Sequence, residues 1–163
     1  MKELEIKSLI KVYKFEELSD LDKRLVVCAK ESTQRAYAPF SKYHVGAALL
    51  LDNGKIMEGS NQENAAYPSG LCAERTAVFY ASSSNPGIAI RKIAVAAWMD
   101  PGKEKDFEEG FQKDPVSPCG GCRQALLEYE HLYGDIEVIL YGRDKIYILP
   151  SVKSLLPLAF TDF

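Results

Sequence analysis

The chain has 163 residues, 47% apolar and 26% charged, the length and composition of one globular domain, so wholesale disorder and collagen-like structure are excluded. Its longest apolar runs, residues 45–51 and 93–99, are far shorter than the ~20 residues of a membrane-spanning helix. Lys and Arg number 20 against 23 Asp and Glu, and the net charge of −3 offers no attraction for nucleic acid. Residues 1–17 intersperse acids with lysines, so we expect no signal peptide and a cytoplasmic location.

The first half of the chain predicts a helix followed by two strands. Apolar residues at helical spacing, with Ser19 as N-cap, predict a helix over residues 20–37. Strands are predicted over residues 43–51 and 55–59, because the Asn53-Gly54 pair between two apolar segments is typical of a tight hairpin.

The second half predicts helices and strands in alternation, interrupted by one long polar segment. Helices are predicted to begin near Cys72 and Cys119. The polar segment, residues 101–115, is flanked by prolines and rich in charge, which is typical of a surface insertion. Strands are predicted over residues 92–98, 136–141 and 145–149, and the last two are spaced to pair antiparallel.

This order of elements predicts one α/β domain over residues 1–163. We expect a single mixed β-sheet of about five strands sandwiched by helices in a three-layer α-β-α arrangement. Residues 1–15 form an N-terminal extension that either adds a strand or stays loose. The insertion is either a lid or a plain surface excursion.

Three of the four cysteines fall at the two predicted helix starts. Cys119 and Cys122 form a C-x-x-C pair, which by itself fits redox exchange, metal binding or neither. Cys72 begins the other helix, and the partial positive charge at a helix N-terminus favours the thiolate form that zinc requires. The remaining thiol, Cys28, lies on the apolar side of the first helix and is predicted to be core.

Three ligands without a fourth describe a catalytic zinc site, which keeps one position for water. Glu74 lies two residues after Cys72, where a carboxylate can accept a proton from that water and pass it to a substrate nitrogen. The pattern therefore predicts a hydrolytic metal centre with Glu74 as its proton shuttle.

Cys72-Ala73-Glu74 together with Pro118-Cys119-x-x-Cys122 resembles the zinc-dependent cytidine deaminases. The resemblance extends over most of the chain, and Cys72 as first ligand matches the small homotetrameric type with three cysteines. It implies one Zn²⁺ per subunit and the hydrolytic deamination of cytidine and 2′-deoxycytidine to uridine and 2′-deoxyuridine. Ammonia is released, and the implied role is pyrimidine salvage.

The resemblance also implies the substrate contacts. Asn61 and Glu63 match an N-x-E pair that holds the ribose 3′-hydroxyl, and the backbone carbonyl of Ala73 accepts from the amino group that is removed. Tyr43 matches a position, usually Phe, that packs against the base. Because the Glu63 carboxylate repels phosphate, nucleosides are favoured over nucleotides.

Two aromatic residues and an arginine complete the implied site. Phe160 resembles the residue that stacks on the pyrimidine in a neighbouring subunit, and Tyr67 lies at a matching interface position. Arg75 matches the residue that hydrogen-bonds the ligand thiolates and offsets their excess negative charge. Arg123 is a second candidate for that role, although the sequence does not give its direction.

Three alternatives stay open at this point. The same chemistry also suits a cytosine-containing antibiotic such as blasticidin S. Deamination of polynucleotide cytosines is disfavoured by the acidic charge balance and by the absence of a basic patch with interleaved aromatics. A zinc-stabilised binding module without turnover would have no need of Glu74 beside an open coordination position.

Overall fold

The computed structural model describes residues 1–103 and 105–161, so Glu104 of the predicted insertion lies outside the described residues. No helix within these ranges is long and apolar enough to cross a membrane. The regular elements in chain order are β1 (Lys11–Tyr13), α1 (Asp20–Ser32), β2 (Tyr43–Leu51), β3 (Ile56–Ser60), α2 (Ala73–Ser84), β4 (Ile90–Met99), α3 (Gly120–Tyr133), β5 (Glu137–Tyr141) and β6 (Ile146–Leu149).

The strands form one mixed sheet in the order β1-β6-β5-β4-β2-β3. Strands β4 and β5 run parallel, because α3 crosses over between them, and the other neighbours are antiparallel. The predicted fold class and the antiparallel β5–β6 pair are confirmed. The sheet has six strands instead of about five, because residues 11–13 of the N-terminal extension pair with the edge of β6.

Helices cover both faces of the sheet and make the predicted three layers. Leu25, Val26 and Ala29 of α1 pack with side chains from one face. On the opposite face α2 and α3 lie side by side, with Ala77 of α2 and Leu126 of α3 in a second core cluster. Both helices whose first turns carry the cysteine motifs are therefore on the same side of the sheet.

Helix α1 ends five residues before the predicted boundary of 37, at Ser32. The Ser32 hydroxyl donates to the Cys28 carbonyl at 2.9 Å and the Thr33 hydroxyl donates to the Lys30 carbonyl at 2.7 Å. These bonds satisfy the last carbonyls of the helix, and a 3₁₀ turn over Thr33–Arg35 follows. At the other end Ser19 is the predicted N-cap, with its hydroxyl accepting from the Asp22 amide.

The described part of the insertion packs onto the α1 side of the sheet. The Trp98 indole donates to the Phe107 carbonyl at 2.9 Å, and the buried ring of Phe111 contacts Tyr141 edge-on with centroids 5.4 Å apart. Lys30 of α1 pairs with Glu108 at 2.6 Å. These contacts anchor the segment that leads to Cys119.

Gly59 of β3 permits the close approach of α2 to the sheet. A Cβ atom on Gly59 would lie 2.5 Å from the Ala77 nitrogen and 2.7 Å from the Ala73 carbonyl oxygen. Both are rigid helix backbone atoms, so the helix would have to move. The glycine thus sets the position of the helix whose first turn carries Cys72 and Glu74.

We therefore expect Gly59→Ala to lower the free energy of unfolding by about 3 kcal/mol, the upper range for forced overpacking. The matched control is Gly121→Ala, because a Cβ on Gly121 meets no atom within 4 Å. Denaturant unfolding of the zinc-loaded proteins measures both. Equal stabilities for the two variants would contradict the proposed role of Gly59.

Candidate metal centre and substrate pocket

The three motif cysteines come together at the N-termini of α2 and α3. Cys72 and Cys119 are the N-cap residues of these helices, and neither side chain accepts a capping hydrogen bond from a backbone amide of its own helix. Cys122 lies in the first turn of α3 and is fully buried. The Sγ atoms of Cys72 and Cys119 are 3.8 Å apart, those of Cys119 and Cys122 are 3.5 Å apart, and all three lie within 4.8 Å of one another.

This arrangement fits a zinc ion. Sulfur ligands at the usual bond length on tetrahedral zinc are about 3.8 Å from each other, close to the separations in the structure. Three soft thiolates without a histidine or carboxylate partner also favour zinc over magnesium or calcium. Cys28 is half-buried in the core of the α1 side and is not part of the cluster.

The surroundings of Cys72 stabilise negative charge on its sulfur. Hydrogen bonds from the Cys122 thiol and from Arg75, whose Nη2 is 3.7 Å from the Cys72 Sγ, lower the pKa of the Cys72 thiol to about 5. The bond to Cys72, together with burial, raises the pKa of Cys122. The Arg75 guanidinium is thus directed at the Cys72 sulfur.

Arg123 does not share the role of Arg75. Its guanidinium donates to the Pro118 carbonyl at 2.8 Å, to the Leu155 carbonyl at 2.7 Å and to the Ser117 hydroxyl at 2.9 Å. The Arg123 side chain therefore connects the loop before Cys119 to the C-terminal segment. It donates its hydrogen bonds to oxygen atoms instead of to the thiolates.

Glu74 lies in the first turn of α2 with only 4% of its surface exposed. Burial raises the pKa of its carboxyl group, and the negative charge of Cys72 raises it further. A carboxyl group whose protonated form is stabilised in this way is suited to hold a proton and to give it up again. Glu74 lies two residues after Cys72 in the chain, and both residues line the same pocket.

One open pocket of about 750 Å³ connects the metal centre with a polar rim. Cys72, Cys119 and Glu74 line one part of it, and Asn61 and Glu63 line another. The volume lies within the range of small-molecule sites. The described residues that contribute to its wall come from β2, the loop before it, β4, the start of α2, the loop after β3 and the loop before α3.

Asn61 and Glu63 are held rigidly at the rim. The Asn61 side chain accepts from the Val45 amide at 2.7 Å and donates to the Tyr43 carbonyl at 2.9 Å. Glu63 accepts from the Phe40 amide at 2.8 Å and from the Ser41 amide at 3.3 Å. The bonds from Ser41 and Phe40 lower the pKa of the Glu63 carboxyl, so it is ionised at neutral pH.

The other predicted substrate residues divide into two groups. Tyr43, Ala73 and Tyr67 line the pocket, although the Tyr67 ring is 78% exposed and touches protein through an edge contact with Phe40. Phe160 is 66% exposed and does not belong to the pocket wall of its own chain. Its carbonyl accepts from the Gln124 amide group at 3.1 Å, which fastens the C-terminal segment to α3.

Several residues of the pocket wall are not among those predicted from the sequence. Val95 comes from the middle of β4, and Val116 and Ser117 directly follow the insertion. Ser117 immediately precedes the Pro118-Cys119 motif, and that adjacency is a usable signal. Val95 is one of many apolar strand residues, so only the sheet order reveals its place beneath the pocket.

Comparison with known proteins agrees with this geometry. A family model described as the cytidine and deoxycytidylate deaminase zinc-binding region matches residues 19–133. The cytidine deaminase of Sporosarcina psychrophila is 39% identical over 138 residues, covering 85% of this chain and 90% of that protein. The cytidine deaminase of Halalkalibacterium halodurans is 35% identical over 151 residues, covering 86% and 96%.

A solved structure extends the similarity to three dimensions. The crystal structure of cytidine deaminase from Burkholderia pseudomallei superposes with a TM-score of 0.68 at 37% identity. The superposition covers 84% of this chain and 97% of that one.

The cysteine geometry predicts about one zinc ion per chain, held by the three clustered thiols. Cys119→Ala should lose the metal, because two thiolates bind zinc far more weakly than three. Cys28→Ala is the matched control and should keep it, since Cys28 lies outside the cluster. Metal analysis after dialysis measures the content, and a full zinc equivalent in Cys119→Ala would contradict this ligand set.

Proposed function

The chain belongs to the cytidine and deoxycytidylate deaminase family, and we propose that it is a zinc-dependent hydrolase that converts cytidine and 2′-deoxycytidine to uridine and 2′-deoxyuridine. The observation that carries the proposal is the buried Glu74 beside three clustered thiols in a pocket whose other part has an ionised Glu63. We assign the reaction to pyrimidine salvage in the cytoplasm, where a thiol-rich metal centre stays reduced.

Zinc bound by Cys72, Cys119 and Cys122 would lower the pKa of a coordinated water molecule to near neutrality. Glu74 accepts a proton from the water whose oxygen bonds to C4, and it delivers that proton to N3 of the cytosine ring. As the C4–N bond breaks, Glu74 transfers the proton of the new C4 hydroxyl to the departing amine, which leaves as ammonia, and the oxygen remains as the C4 carbonyl. The raised pKa of Glu74 suits both transfers, because the carboxyl group can keep a proton taken from water until it passes the proton to the substrate.

Arg75 balances the charge of the metal centre. Three thiolates and one divalent ion sum to a charge of about −1, which would weaken the acidity of a coordinated water. The Arg75 guanidinium donates to the Cys72 sulfur and withdraws part of that charge. Its Nε atom is buried without a hydrogen-bond partner among the described residues, and the hydrogen bond to Cys72 raises the pKa of the guanidinium.

The rim residues would bind the sugar. One N–H of the Asn61 amide remains free to donate after its bond to the Tyr43 carbonyl, and the Glu63 carboxylate has unused lone pairs. Together they offer a donor and an acceptor to the ribose 3′-hydroxyl. The ionised Glu63 repels a phosphate, which favours nucleosides over nucleotides.

We propose a homotetramer in which Phe160 completes the site of a neighbouring subunit. Phe160 is exposed and lies outside its own pocket wall, and the ring of Tyr67 at the pocket rim is exposed as well. Stacking of Phe160 on the pyrimidine across an interface would bury both rings. The Gln124 bond to the Phe160 carbonyl would hold the segment in position.

The first test follows the ultraviolet absorbance of cytidine with the zinc-loaded protein. We expect conversion to uridine, which Glu74→Gln reduces by ~10³-fold while zinc content stays unchanged, because the amide cannot shuttle protons. Glu31→Gln is the matched control, since Glu31 is exposed on α1 across the sheet.

Full turnover in Glu74→Gln would contradict the mechanism. Wild-type protein that retains zinc but leaves cytidine unchanged would contradict the nucleoside substrate. In that case, turnover of blasticidin S by the same preparation would identify the antibiotic as the substrate.

The second test uses subunit complementation. Phe160→Ala keeps Glu74 but offers no ring to its neighbours, whereas Glu74→Gln keeps the ring but has no proton shuttle. Co-expressed subunits should be more active than the sum of the two parents, because a Phe160→Ala subunit receives Phe160 from its Glu74→Gln neighbour. Activity no higher than that sum, or an active monomer by light scattering, would contradict the shared site.

A further inference from the structure

The side chain of Tyr43 forms part of the pocket wall. Tyr43 begins β2, and side chains alternate between the faces of a strand. The next residue, His44, contacts the Trp98 ring on the α1 side of the sheet, with centroids 5.4 Å apart. Val45 lines the pocket with Tyr43, so the alternation directs the Tyr43 ring to the pocket side.

The backbone of Tyr43 is fully paired while its hydroxyl is not. The backbone amide of Tyr43 donates to the Ser41 hydroxyl at 3.0 Å, and its carbonyl accepts from the Asn61 side chain at 2.9 Å. None of the hydrogen bonds among residues 1–103 and 105–161 involves the phenol oxygen. Partial burial of the side chain raises the pKa of the phenol.

The hydroxyl has no protein partner in the described part of the chain but keeps contact with solvent in the open pocket. A substrate that displaces water from this wall must replace the hydrogen bond that the water made. The bonds from the Tyr43 amide to the Ser41 hydroxyl and from the Asn61 amide group to the Tyr43 carbonyl hold Tyr43 beside the rim, where the Ser41 amide also donates to Glu63. In the proposed reaction the amino group and N3 of cytosine face Glu74, so the sugar of the same nucleoside lies at the rim.

Resting on the proposed function, we infer that the Tyr43 hydroxyl forms a hydrogen bond with a sugar hydroxyl of the bound nucleoside and makes Tyr43 a specificity-determining residue. A phenol and an alcohol can each donate and accept, so the pair is complementary in either sense. A phenylalanine at this position would keep the ring contact and leave that sugar hydroxyl without this partner.

The test compares wild type and Tyr43→Phe on cytidine, 2′-deoxycytidine, 3′-deoxycytidine and 5′-deoxycytidine. We expect Tyr43→Phe to lower kcat/KM for cytidine by about three- to tenfold, the effect of one neutral hydrogen bond. The loss should vanish for the analogue that lacks the contacted hydroxyl, and this analogue identifies it. With the wild-type protein, kcat/KM for this analogue should be lower than for cytidine, because the analogue cannot bond to the phenol.

Tyr80→Phe is the matched control, since Tyr80 is exposed on α2 and does not line the pocket. A merely structural role for the Tyr43 hydroxyl would lower kcat/KM equally for all four nucleosides, and that result would overturn the inference. So would an unchanged kcat/KM on every substrate. Wild-type protein inactive on all four would instead contradict the proposed function, so the two failures are distinguishable.

Discussion

The structure depends on one constraint: three sulfur atoms from two different helices must come within bonding distance of a single ion. Cys72 and Cys119 achieve this as N-cap residues, since the N-termini of α2 and α3 meet on the same face of the sheet. The strand order makes this possible, because α2 leads into β4 and α3 leaves β4 for its parallel neighbour β5. The small residue Gly59 then allows α2 to lie directly on β3, which brings Glu74 to the floor of the pocket. Zinc binding and helix packing are therefore parts of the same folding free energy.

The charge distribution follows from that constraint. Thiolates concentrate negative charge at the metal centre, and Glu74 is both buried and close to them, so its proton is held more firmly than in water. Glu63, at the rim, accepts backbone amides and stays ionised. Two glutamates with opposite protonation tendencies thus share one pocket, one suited to move protons and the other to accept hydrogen bonds from a neutral sugar. The negative charge of Glu63 would repel the phosphate of a phosphorylated substrate, whereas an uncharged nucleoside experiences no such repulsion.

Local signals predict a large part of this structure. The Asn53-Gly54 turn, the Ser19 cap and the start of α2 at Cys72 are each determined by neighbours in the chain, and the structure agrees with them. Features that depend on distant contacts were less accessible. Lys11–Tyr13 joins the sheet because β6 offers a free edge, and Arg123 turns to the Leu155 carbonyl 32 residues away instead of the thiolates. The pairing of Asn61 with β2 is likewise invisible in the N-x-E pattern, which shows the residue types but not which of their hydrogen bonds the backbone already uses.

Helix α3 connects the metal centre with the C-terminal segment. Its first turn carries Cys122, and the next two residues, Arg123 and Gln124, bond to the carbonyls of Leu155 and Phe160. Near its end the buried carboxylate of Glu130 accepts from the Val152 and Lys153 amides at 2.6 and 3.0 Å. The C-terminal segment that contains Phe160 is therefore fastened along the length of the helix that begins with two thiols of the cluster. The thiol cluster and this segment share α3 as a common support, since Arg123 and Gln124 directly follow Cys122 in the chain.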